Sequence, residues 1–319
     1  MAFRPLFRIF PDETRIRFMR GRHLGIIFSA VLSTLSVILF FYPGPNLGID
    51  FAGGVVIEAR TPGPADFAAI RAALTEAGVH FQGVQRFGED NQVAIRLPAQ
   101  ASELATQQSA AKVRAALEKI APGTRVLRTD AVGATVSAEL FEAGMIALGA
   151  AMFMILLYIW FRFEWQFAVG AVVTLLLDIT KAIGFLVITR FEFDLVMVAA
   201  ILTILGYSMN DKVVVYDRMR ENLRRYKTMP LRQLIDLSIN ETLNRTLGTS
   251  ATTFLAALPL ALFGGPSIGP FAIMMLFGIV VGTSSSIFIA APILLFLGEN
   301  RLRRDTATPA KDPAEPTRP

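Results

Sequence analysis

The 319-residue sequence contains no cysteine, and it has only two histidines and two tryptophans. Without cysteine, no disulfide and no thiol chemistry is possible, so any domain outside a membrane must be stabilised by its own core. Charged residues are also few, at 18% of the chain, whereas hydrophobic residues make up 53%. Together with a mean hydropathy of +0.50, this composition excludes an ordinary soluble domain and is typical of a protein that crosses a membrane several times.

Six apolar runs are long enough to predict transmembrane helices. They are His23–Tyr42, Leu140–Trp160, Phe167–Ile188, Leu195–Val215, Leu247–Phe263 and Phe271–Leu297. The first run is too long for the apolar region of a signal peptide, and no small-residue cleavage site follows it, so we expect an uncleaved span at 23–42. The predicted fold class is an α-helical polytopic membrane protein with spans 2 to 6 at 140–297.

The distribution of basic residues predicts the orientation of the chain. Arginine and lysine concentrate in the tail at 1–22, in a connecting segment at about 217–245 and in the tail at 298–319. The connectors of the opposite side contain one base, Arg190. Because basic connectors stay in the cytoplasm, we expect both termini and a basic loop at about 217–245 there. The Pro-, Ala- and charge-rich tail at 298–319 is predicted to be disordered.

Residues 43–139 have the patterns of a soluble domain. The predicted elements are a strand (Val55–Arg60), a helix (Pro64–Gly78), two strands (His80–Phe87 and Gln92–Leu97), a helix (Ala101–Ile120) and a last strand (Thr124–Ala131). This β-α-β-β-α-β order predicts a ferredoxin-like α+β domain on the periplasmic side. The segment has one histidine and no clustered carboxylates, so we expect no metal site, no cofactor and no enzymatic activity, but a recognition or mechanical role.

The segment Ile201–Asn222 contains ionisable residues within an apolar run. Asp211 and Lys212 are followed by the apolar Val213–Val215 before a charged cluster begins. An ionisable residue inside a span costs roughly 2.5–3.5 kcal/mol on insertion scales, so such residues usually face protein or water and have a function. The alternative is that the pair marks the helix end, with Lys212 extending to the headgroups.

The helical rise per residue predicts that Asp211 and Arg245 lie at similar depths in the membrane. Asp211 is about 25 Å from the outer end of the fourth span, and Arg245 about 27 Å from the outer end of the antiparallel fifth span. The two could therefore pair, and an aspartate alternately paired and hydrated could take up and release a proton. Asp178 falls near mid-membrane and is a candidate relay. The alternatives are that Arg245 is an interfacial anchor and that Lys181 simply neutralises Asp178.

Small and polar residues form three further groups in the sequence. Thr242, Thr249 and Thr253 share a helical face with Arg245, which suits either a hydrated path or interhelical hydrogen bonds. Glycines at 278 and 282, with serines at 284–286, favour close helix packing over a substrate-lining role. The pair Gly53-Gly54 after Asp50 predicts a turn into the first strand, and Asp50 is expected to be structural.

Five ordered stretches resemble the SecF family, the smaller membrane subunits of the bacterial SecD–SecF protein-export complex. They are Gly48–Gly54, Val132-Gly133 through Glu139-Leu140, Gly206-Tyr207-Ser208-Met209-Asn210-Asp211 with Val213–Asn222 (including Arg218), Asn244–Ser250, and Gly282-Thr283 through Ser285–Phe288. The likeness extends over nearly the whole chain except its tails. Any one stretch alone would be weak evidence, but the set is specific.

The resemblance implies a subunit of the resistance-nodulation-division type that is driven by the proton motive force. Asp211 would carry the proton, with Asn210 beside it and Arg245 as its functional neighbour; the proton would be the coupling ion and no cofactor would be needed. The implied partners are SecD, the SecYEG translocon, YajC as a further candidate, the translocating unfolded polypeptide and membrane lipids, but no nucleic acid. The implied location is the bacterial inner membrane.

The sequence departs from the family pattern at several positions. Lys212 stands where the family often has Thr, and Leu177 where a His commonly precedes the third-span Asp. Ala134 and Ser137 replace Pro and Gly, and Ser284 replaces a Tyr. Lys212 is the most consequential, because a neighbouring cation could hold Asp211 ionised. However, successive helical residues point about 100° apart, so the two side chains need not share a surface.

Two other functions fit the same composition. One is half of a resistance-nodulation-division exporter of small molecules or lipids, although such exporters have twelve spans and larger external domains in one chain. The other is a passive membrane scaffold for the translocon, in which charge-neutral substitutions at Asp211 and Arg245 would be silent. The half-complement of spans also predicts an obligate membrane partner, because the buried polar faces of the fourth and fifth spans need to be covered.

Overall fold

The computed structural model describes residues 14–100 and 103–297. The first span and the α/β domain comprise α1 (Arg22–Phe41), β1 (Asn46–Leu47), α2 (Ile49–Ala52), β2 (Gly54–Arg60), α3 (Phe67–Glu76), β3 (Gly83–Arg86), β4 (Gln92–Leu97), α4 (Glu103–Ile120) and β5 (Arg125–Val132). From β2 to β5 the order is β-α-β-β-α-β, as the sequence predicts. The start of the predicted second helix, at 101–102, lies outside the described residues.

The four longer strands form one antiparallel sheet in the order β3-β4-β2-β5. Burial alternates along β2, where Val55, Ile57 and Ala59 are buried and the residues between them are half-exposed. This period of two places one face of the sheet against α3 and α4, and Leu74 and Leu117 pack into the same core. The domain therefore has a hydrophobic core of its own without any disulfide.

The described residues from 134 to 297 are mainly helical. They comprise α5 (Ala134–Arg162), α6 (Trp165–Thr189), β6 (Glu192–Phe193), α7 (Leu195–Arg225), α8 (Leu231–Phe263), α9 (Gly265–Ser285), a π-helical turn (Ser286–Ala290) and α10 (Ala291–Phe296). With α9 to α10 taken as one span, the described residues contain six helices long and apolar enough to cross a membrane. The six predicted spans are therefore found, and the chain is a multi-pass membrane protein.

The basic segment predicted as a loop at about 217–245 is largely helical instead. α7 continues to Arg225 and α8 begins at Leu231, so only a short connection remains between them. Leu231, Leu234 and Ile235 are buried against the inner face of α7, and this apolar face extends both helices beyond the membrane-spanning runs. The predicted tails fall mostly outside the description, since residues 1–13 and 298–319 are not described.

The α/β domain is joined to one end of the helix bundle, at the connection between two spans. β1 pairs in parallel with β6, which lies between α6 and α7. The Asp50 carboxylate of α2 accepts a hydrogen bond from the backbone N–H of Leu195, the first residue of α7, at 3.2 Å. Gly53 ends α2 with φ of 69° and Gly54 opens β2 with φ of 130°, which is the turn predicted for this pair. We call this end of the bundle the domain end and the other the opposite end.

Candidate functional site

Asp178 on α6 lies at the centre of a buried ion cluster between α6, α7 and α9. Its carboxylate contacts Lys212 Nζ at 2.9 Å and Lys181 Nζ at 3.2 Å. Ser208 Oγ and Ser285 Oγ each donate a hydrogen bond to it at 2.7 Å. Only 1% of Asp178 is exposed, so two ammonium groups and two hydroxyls replace the water that an ionised carboxylate requires.

Lys212 is completely buried, with no exposed surface. Its ammonium donates to Asp178 and to Ser285 Oγ, and it also contacts Ser208 Oγ. The alternative in which Lys212 extends to the headgroups is therefore wrong. The alternative in which Lys181 neutralises Asp178 is confirmed, but a second lysine from the neighbouring helix shares the same carboxylate.

Asp211 lies one residue before Lys212 but faces a different surface of α7. Only 1% of it is exposed, and its position along α7 is about 24 Å from the first residue of the helix. Thr283 Oγ1 of α9 donates to Asp211 Oδ2 at 3.2 Å, and no ion pair reaches Asp211 within the described part of the chain. Asp211 is therefore a buried carboxylate with much weaker compensation than Asp178.

The two aspartates and two lysines form a balanced set. All four side chains are buried, and they come from only two helices, α6 and α7. When all are ionised, two negative and two positive charges cancel, whereas a proton on Asp211 would leave one uncompensated positive charge in the bundle. A buried unpaired charge is unfavourable by several kcal/mol, so the protonation state of Asp211 matters for the arrangement of these helices.

A chain of hydroxyls extends from Asp211. Thr283 Oγ1 lies 2.7 Å from Ser250 Oγ of α8, and Tyr207 OH of α7 donates to Ser250 Oγ at 2.8 Å. Ser250 Oγ is also 2.8 Å from the backbone oxygen of Thr246, an alternative acceptor for its hydrogen. Tyr207 itself is half-buried. The residues of this chain therefore connect three helices around Asp211.

The predicted pairing of Asp211 with Arg245 is absent. Arg245 is exposed, and it forms no ion pair with any residue that the structure describes. The physical reason is its position on α8: Thr246 and Ser250 face α7 and α9, and Arg245 points about 100° away from Thr246. Similar depth in the bundle is thus not sufficient for contact.

Asn210 and Gly206 lie on an exposed stripe of α7, together with Thr203. Their spacing of three and four residues places them on one face of the helix. No atom lies within 4 Å of the position that a Cβ would occupy at Gly206. The predicted proton-coupling residues therefore divide into two groups: Asp178 and Asp211 are inside the bundle, whereas Asn210 and Arg245 face outward.

The predicted threonine stripe on α8 does not form a path. The hydroxyls of Thr242, Thr249 and Thr253 donate to backbone oxygens of their own helix. Sequence reasoning missed Ser250, which makes the interhelical bonds. A signal for it is present, because Ser238, Thr242, Thr246 and Ser250 recur at a spacing of four and all are buried.

The other predicted motif residues are mostly structural. Arg218 donates to Glu241 at 2.8 Å, which connects α7 to α8 at the opposite end, and to Glu221 of its own helix at 2.6 Å. A Cβ at Gly282 would lie 3.0 Å from Ser208 Cβ, and a Cβ at Gly278 would lie even closer to the Ile204 side chain. The predicted close packing of the last span is therefore confirmed. Glu139, in contrast, is exposed near the start of α5.

Six membrane-spanning helices that enclose a balanced set of buried charges define a polytopic membrane protein of the kind in which intramembrane ionisable groups serve transport. Two family models match the chain. Residues 112–300 match the family described as protein export membrane protein SecD/SecF, C-terminal. Residues 38–61 match the SecD/SecF GG motif, which covers Asp50, Gly53 and Gly54. The chain therefore belongs to the SecD/SecF family of protein-export membrane proteins.

Individual relatives narrow the family assignment to the SecF subunits. The chain is 42% identical over 302 residues to protein translocase subunit SecF of Rickettsia akari, covering 94% of this chain and 97% of the relative. It is 42% identical over 308 residues to the SecF subunit of Cereibacter sphaeroides, covering 94% of each. The SecF resemblance seen in the sequence is thus confirmed, and the relatives are named as transport proteins rather than enzymes.

Solved structures show the same fold. The crystal structure of SecDF, a translocon-associated membrane protein from Thermus thermophilus, superposes with a TM-score of 0.81 at 30% identity, covering 91% of this chain. A SecDF structure in a super-membrane-facing form gives a TM-score of 0.65, also at 30% identity, and covers 95% of this chain. The chain spans about two-fifths of the length of these SecDF chains, 40% and 41% respectively.

Proposed function

We propose that this chain uses the proton motive force, as the SecF subunit of a Sec translocase, to promote late-stage translocation of secreted polypeptides through SecYEG. The observation that carries the proposal is Asp211, a carboxylate buried to 1% exposure in the interior of a spanning helix. It receives a hydrogen bond from Thr283 at 3.2 Å but no counter-ion at contact distance among the described residues. Such a carboxylate suits reversible protonation better than permanent ionisation.

Asp178 and the two lysines have a different role in this proposal. Four groups hold the Asp178 carboxylate, among them Lys212 at 2.9 Å, so it is the fixed anion of the bundle. Proton binding at Asp211 changes the net charge of the four-residue set from zero to plus one. That change favours a second arrangement of α6 and α7, and proton release restores the first.

The driving force is sufficient for such a two-state element. One elementary charge that crosses 100 mV supplies about 2.3 kcal/mol. A few protons per cycle would therefore shift the populations of two arrangements that differ by several kcal/mol. The hydrogen bond between Asp50 and Leu195 transmits movement of α7 to the α/β domain.

The exposed polar face of α7 and α8 supports an obligate membrane partner. Asn210 and Arg245 are exposed within or near the membrane-spanning part of these helices. Contact of an arginine with lipid tails is unfavourable by at least about 2.5 kcal/mol, so a second chain is expected to cover this face. We propose SecD as that chain, with SecYEG and YajC as further partners.

The α/β domain is proposed to be a ferredoxin-like periplasmic domain that contacts the unfolded polypeptide. Its strand order, β3-β4-β2-β5, is that of a split βαβ fold. Both termini would then lie in the cytoplasm, because basic residues such as Arg220, Arg224 and Arg225 lie at the opposite end of the bundle. This orientation corresponds to a multi-pass protein of the bacterial inner membrane.

An export assay tests the proposed function. In a strain that depends on this chain, Asp211→Asn should reduce the export of a secreted reporter to the level seen when an uncoupler removes the proton motive force. Glu142→Gln is a matched control, because it neutralises an exposed carboxylate of α5. Immunoblots would establish equal accumulation of all variants.

The passive-scaffold alternative gives the opposite result. If the chain only stabilises SecYEG or SecD, Asp211→Asn should export the reporter at the rate of the parent chain and retain its response to the uncoupler. That outcome would remove the proposed role of Asp211 and leave the family assignment intact.

A further inference from the structure

The hydroxyl chain from Asp211 is assembled by three different helices. Thr283 on α9 donates to Asp211 at 3.2 Å, Ser250 on α8 lies 2.7 Å from Thr283, and Tyr207 on α7 donates to Ser250 at 2.8 Å. A hydroxyl can both donate and accept a hydrogen bond. All of these oxygens are within hydrogen-bond distance of the next, so no additional group is needed between Tyr207 and Asp211.

We propose that Tyr207, Ser250 and Thr283 form the path along which protons reach Asp211, which rests on the function proposed above for Asp211. The phenolic oxygen of Tyr207 accepts a proton from a hydronium ion, which becomes water, and releases its own proton to Ser250. Ser250 passes a proton to Thr283, which protonates the Asp211 carboxylate. Each transfer forms one O–H bond and breaks another, so the products are one water molecule, one carboxylic acid and three neutral hydroxyls.

The position of Tyr207 gives this path a direction. Tyr207 is one helical turn, about 6 Å, closer to the domain end than Asp211. It is half-buried and follows Gly206, whose missing side chain leaves the adjacent surface open. Tyr207 is therefore the end of the path nearer the α/β domain, the side from which the proton motive force would drive protons inward.

Ser250 is suited to interrupt the path. Its hydroxyl has one hydrogen and two acceptors at nearly equal distance, the Thr283 oxygen at 2.7 Å and the backbone oxygen of Thr246 at 2.8 Å. When the hydrogen points to Thr246, the chain is broken between Ser250 and Thr283. Rotation about one side-chain bond is sufficient to connect or disconnect Asp211.

The neighbouring charged groups do not offer an equivalent route. Lys181 and Lys212 both pair with Asp178 on the α6 side of α7. The described residues of α9 include no ionisable side chain, and Arg245 of α8 is exposed away from this network. Among the described residues, only hydroxyls therefore link Asp211 to a surface of the bundle.

Time-resolved infrared spectroscopy after a pH jump tests the path, on the full chain in lipid nanodiscs. The signal is the protonated carboxyl band that Asp211→Asn removes. Ser250→Ala and Tyr207→Phe should slow the appearance of this band about a hundredfold, the low end of what a positioned proton donor contributes. The final amplitude should not change, because neither side chain forms a hydrogen bond with Asp211.

Matched variants distinguish proton transfer by these hydroxyls from a role in stabilising helix packing. Thr252→Val removes an exposed hydroxyl of the same helix that bonds to its own backbone, so its rate should equal that of the parent chain. Ser250→Thr retains a hydroxyl and should restore the fast rate. If Ser250→Ala does not fold, Tyr207→Phe, which keeps the ring, decides the question.

The outcomes are distinguishable. Parent-like rates in both Ser250→Ala and Tyr207→Phe would overturn the path while leaving proton uptake at Asp211 in place. If these hydroxyls only stabilise the packing of the helices, the variants should have a lower Tm, but the carboxyl band should appear at the rate of the parent chain. Absence of the band in the parent chain would instead contradict the proposed function itself.

Discussion

Lys212 directs its ammonium across the interface of α6 and α7 to Asp178, at 2.9 Å, and not to Asp211, its neighbour in sequence. The lysine therefore compensates a carboxylate of another helix, and Asp211 is left with a hydroxyl partner, Thr283. A lysine beside the proposed proton carrier is thus compatible with proton coupling, since it contacts a different acidic group.

Loss of Lys212 should be strongly destabilising. Lys212→Met leaves Asp178 with one ammonium and the buried set with one excess negative charge, and breaking a buried pair in this way costs about 3–5 kcal/mol. Thermal unfolding of the purified chain in detergent would measure this as a lower Tm. The double variant Lys212→Met/Asp178→Asn restores neutrality and should recover part of the loss.

The double-mutant cycle decides whether these two residues act as a pair. The account predicts a coupling free energy of about 0.5–3 kcal/mol between positions 178 and 212. Additive effects of the two single substitutions would contradict the ion pair. The Tm of Lys181→Met gives a comparison for that of Lys212→Met. Lys181 is also an ion-pair partner of Asp178, at 3.2 Å, but it is on the same helix as Asp178.

Asp50 should stabilise the start of α7. Asp50→Ala removes the acceptor of the Leu195 N–H at a helix N-terminus, where loss of a capping group costs about 0.5–2 kcal/mol. Hydrogen exchange of the first turn of α7 should accelerate, with that of α8 unchanged. Asp50→Asn retains an oxygen acceptor, so the first turn of α7 should exchange at the rate of the parent chain. If this turn is as protected in Asp50→Ala as in the parent, the Asp50 contact does not stabilise the start of α7.

Asp194, the N-cap of α7, should make stability depend on pH. Burial raises the pKa of its carboxyl above the ordinary value, against the lowering effect of the Met197 N–H, and Asp50 and Glu192 raise it further. The folded chain therefore binds this proton more tightly than the unfolded chain, so the stabilisation is full at low pH and is lost as pH rises through the raised pKa.

The Asp194→Asn variant tests this dependence. Asparagine caps a helix about as well as aspartate but carries no charge. The difference in Tm between Asp194→Asn and the parent should therefore increase in favour of the variant as pH rises from the acid range to neutrality. Parallel Tm curves for the two proteins would contradict the assignment.

Gly184 should tolerate no side chain. A Cβ at this position of α6 would lie 2.9 Å from Ser36 Cα of α1, a backbone atom. Overpacking of this kind costs about 1–3 kcal/mol, so Gly184→Ala should lower the Tm. Gly149→Ala is the control, since nothing lies within 4 Å there; an equal loss at both sites would show that close packing of α1 on α6 is not the cause.

The elements of the fold could be predicted from the sequence because hydrophobic periodicity determines them locally. The strand Gln92–Leu97 agrees at both ends with the prediction, and the first span, Arg22–Phe41, agrees within one residue. The helical extensions beyond the membrane were missed, because Arg218–Arg245 is rich in charge and its buried apolar face is apparent only once α7 and α8 pack together.

The site was predicted in part. The burial of Asp211 and Asp178 followed from the cost of charge in a membrane, which acts on each residue separately. Their partners depend on the rotation of each helix about its axis. The depth of a residue along its helix, which the sequence gives, does not determine that rotation. This is why Arg245 was assigned to Asp211 although it faces outward, and why Ser250 and Thr283 were missed.

The most direct test of the central claim is whether Asp211 itself takes up a proton. Infrared difference spectra of the full chain in lipid nanodiscs, recorded between alkaline and acidic buffer, should contain a protonated carboxyl band that Asp211→Asn removes and Glu142→Gln retains. Identical spectra for the parent and Asp211→Asn, in chains that are equally folded, would contradict the account.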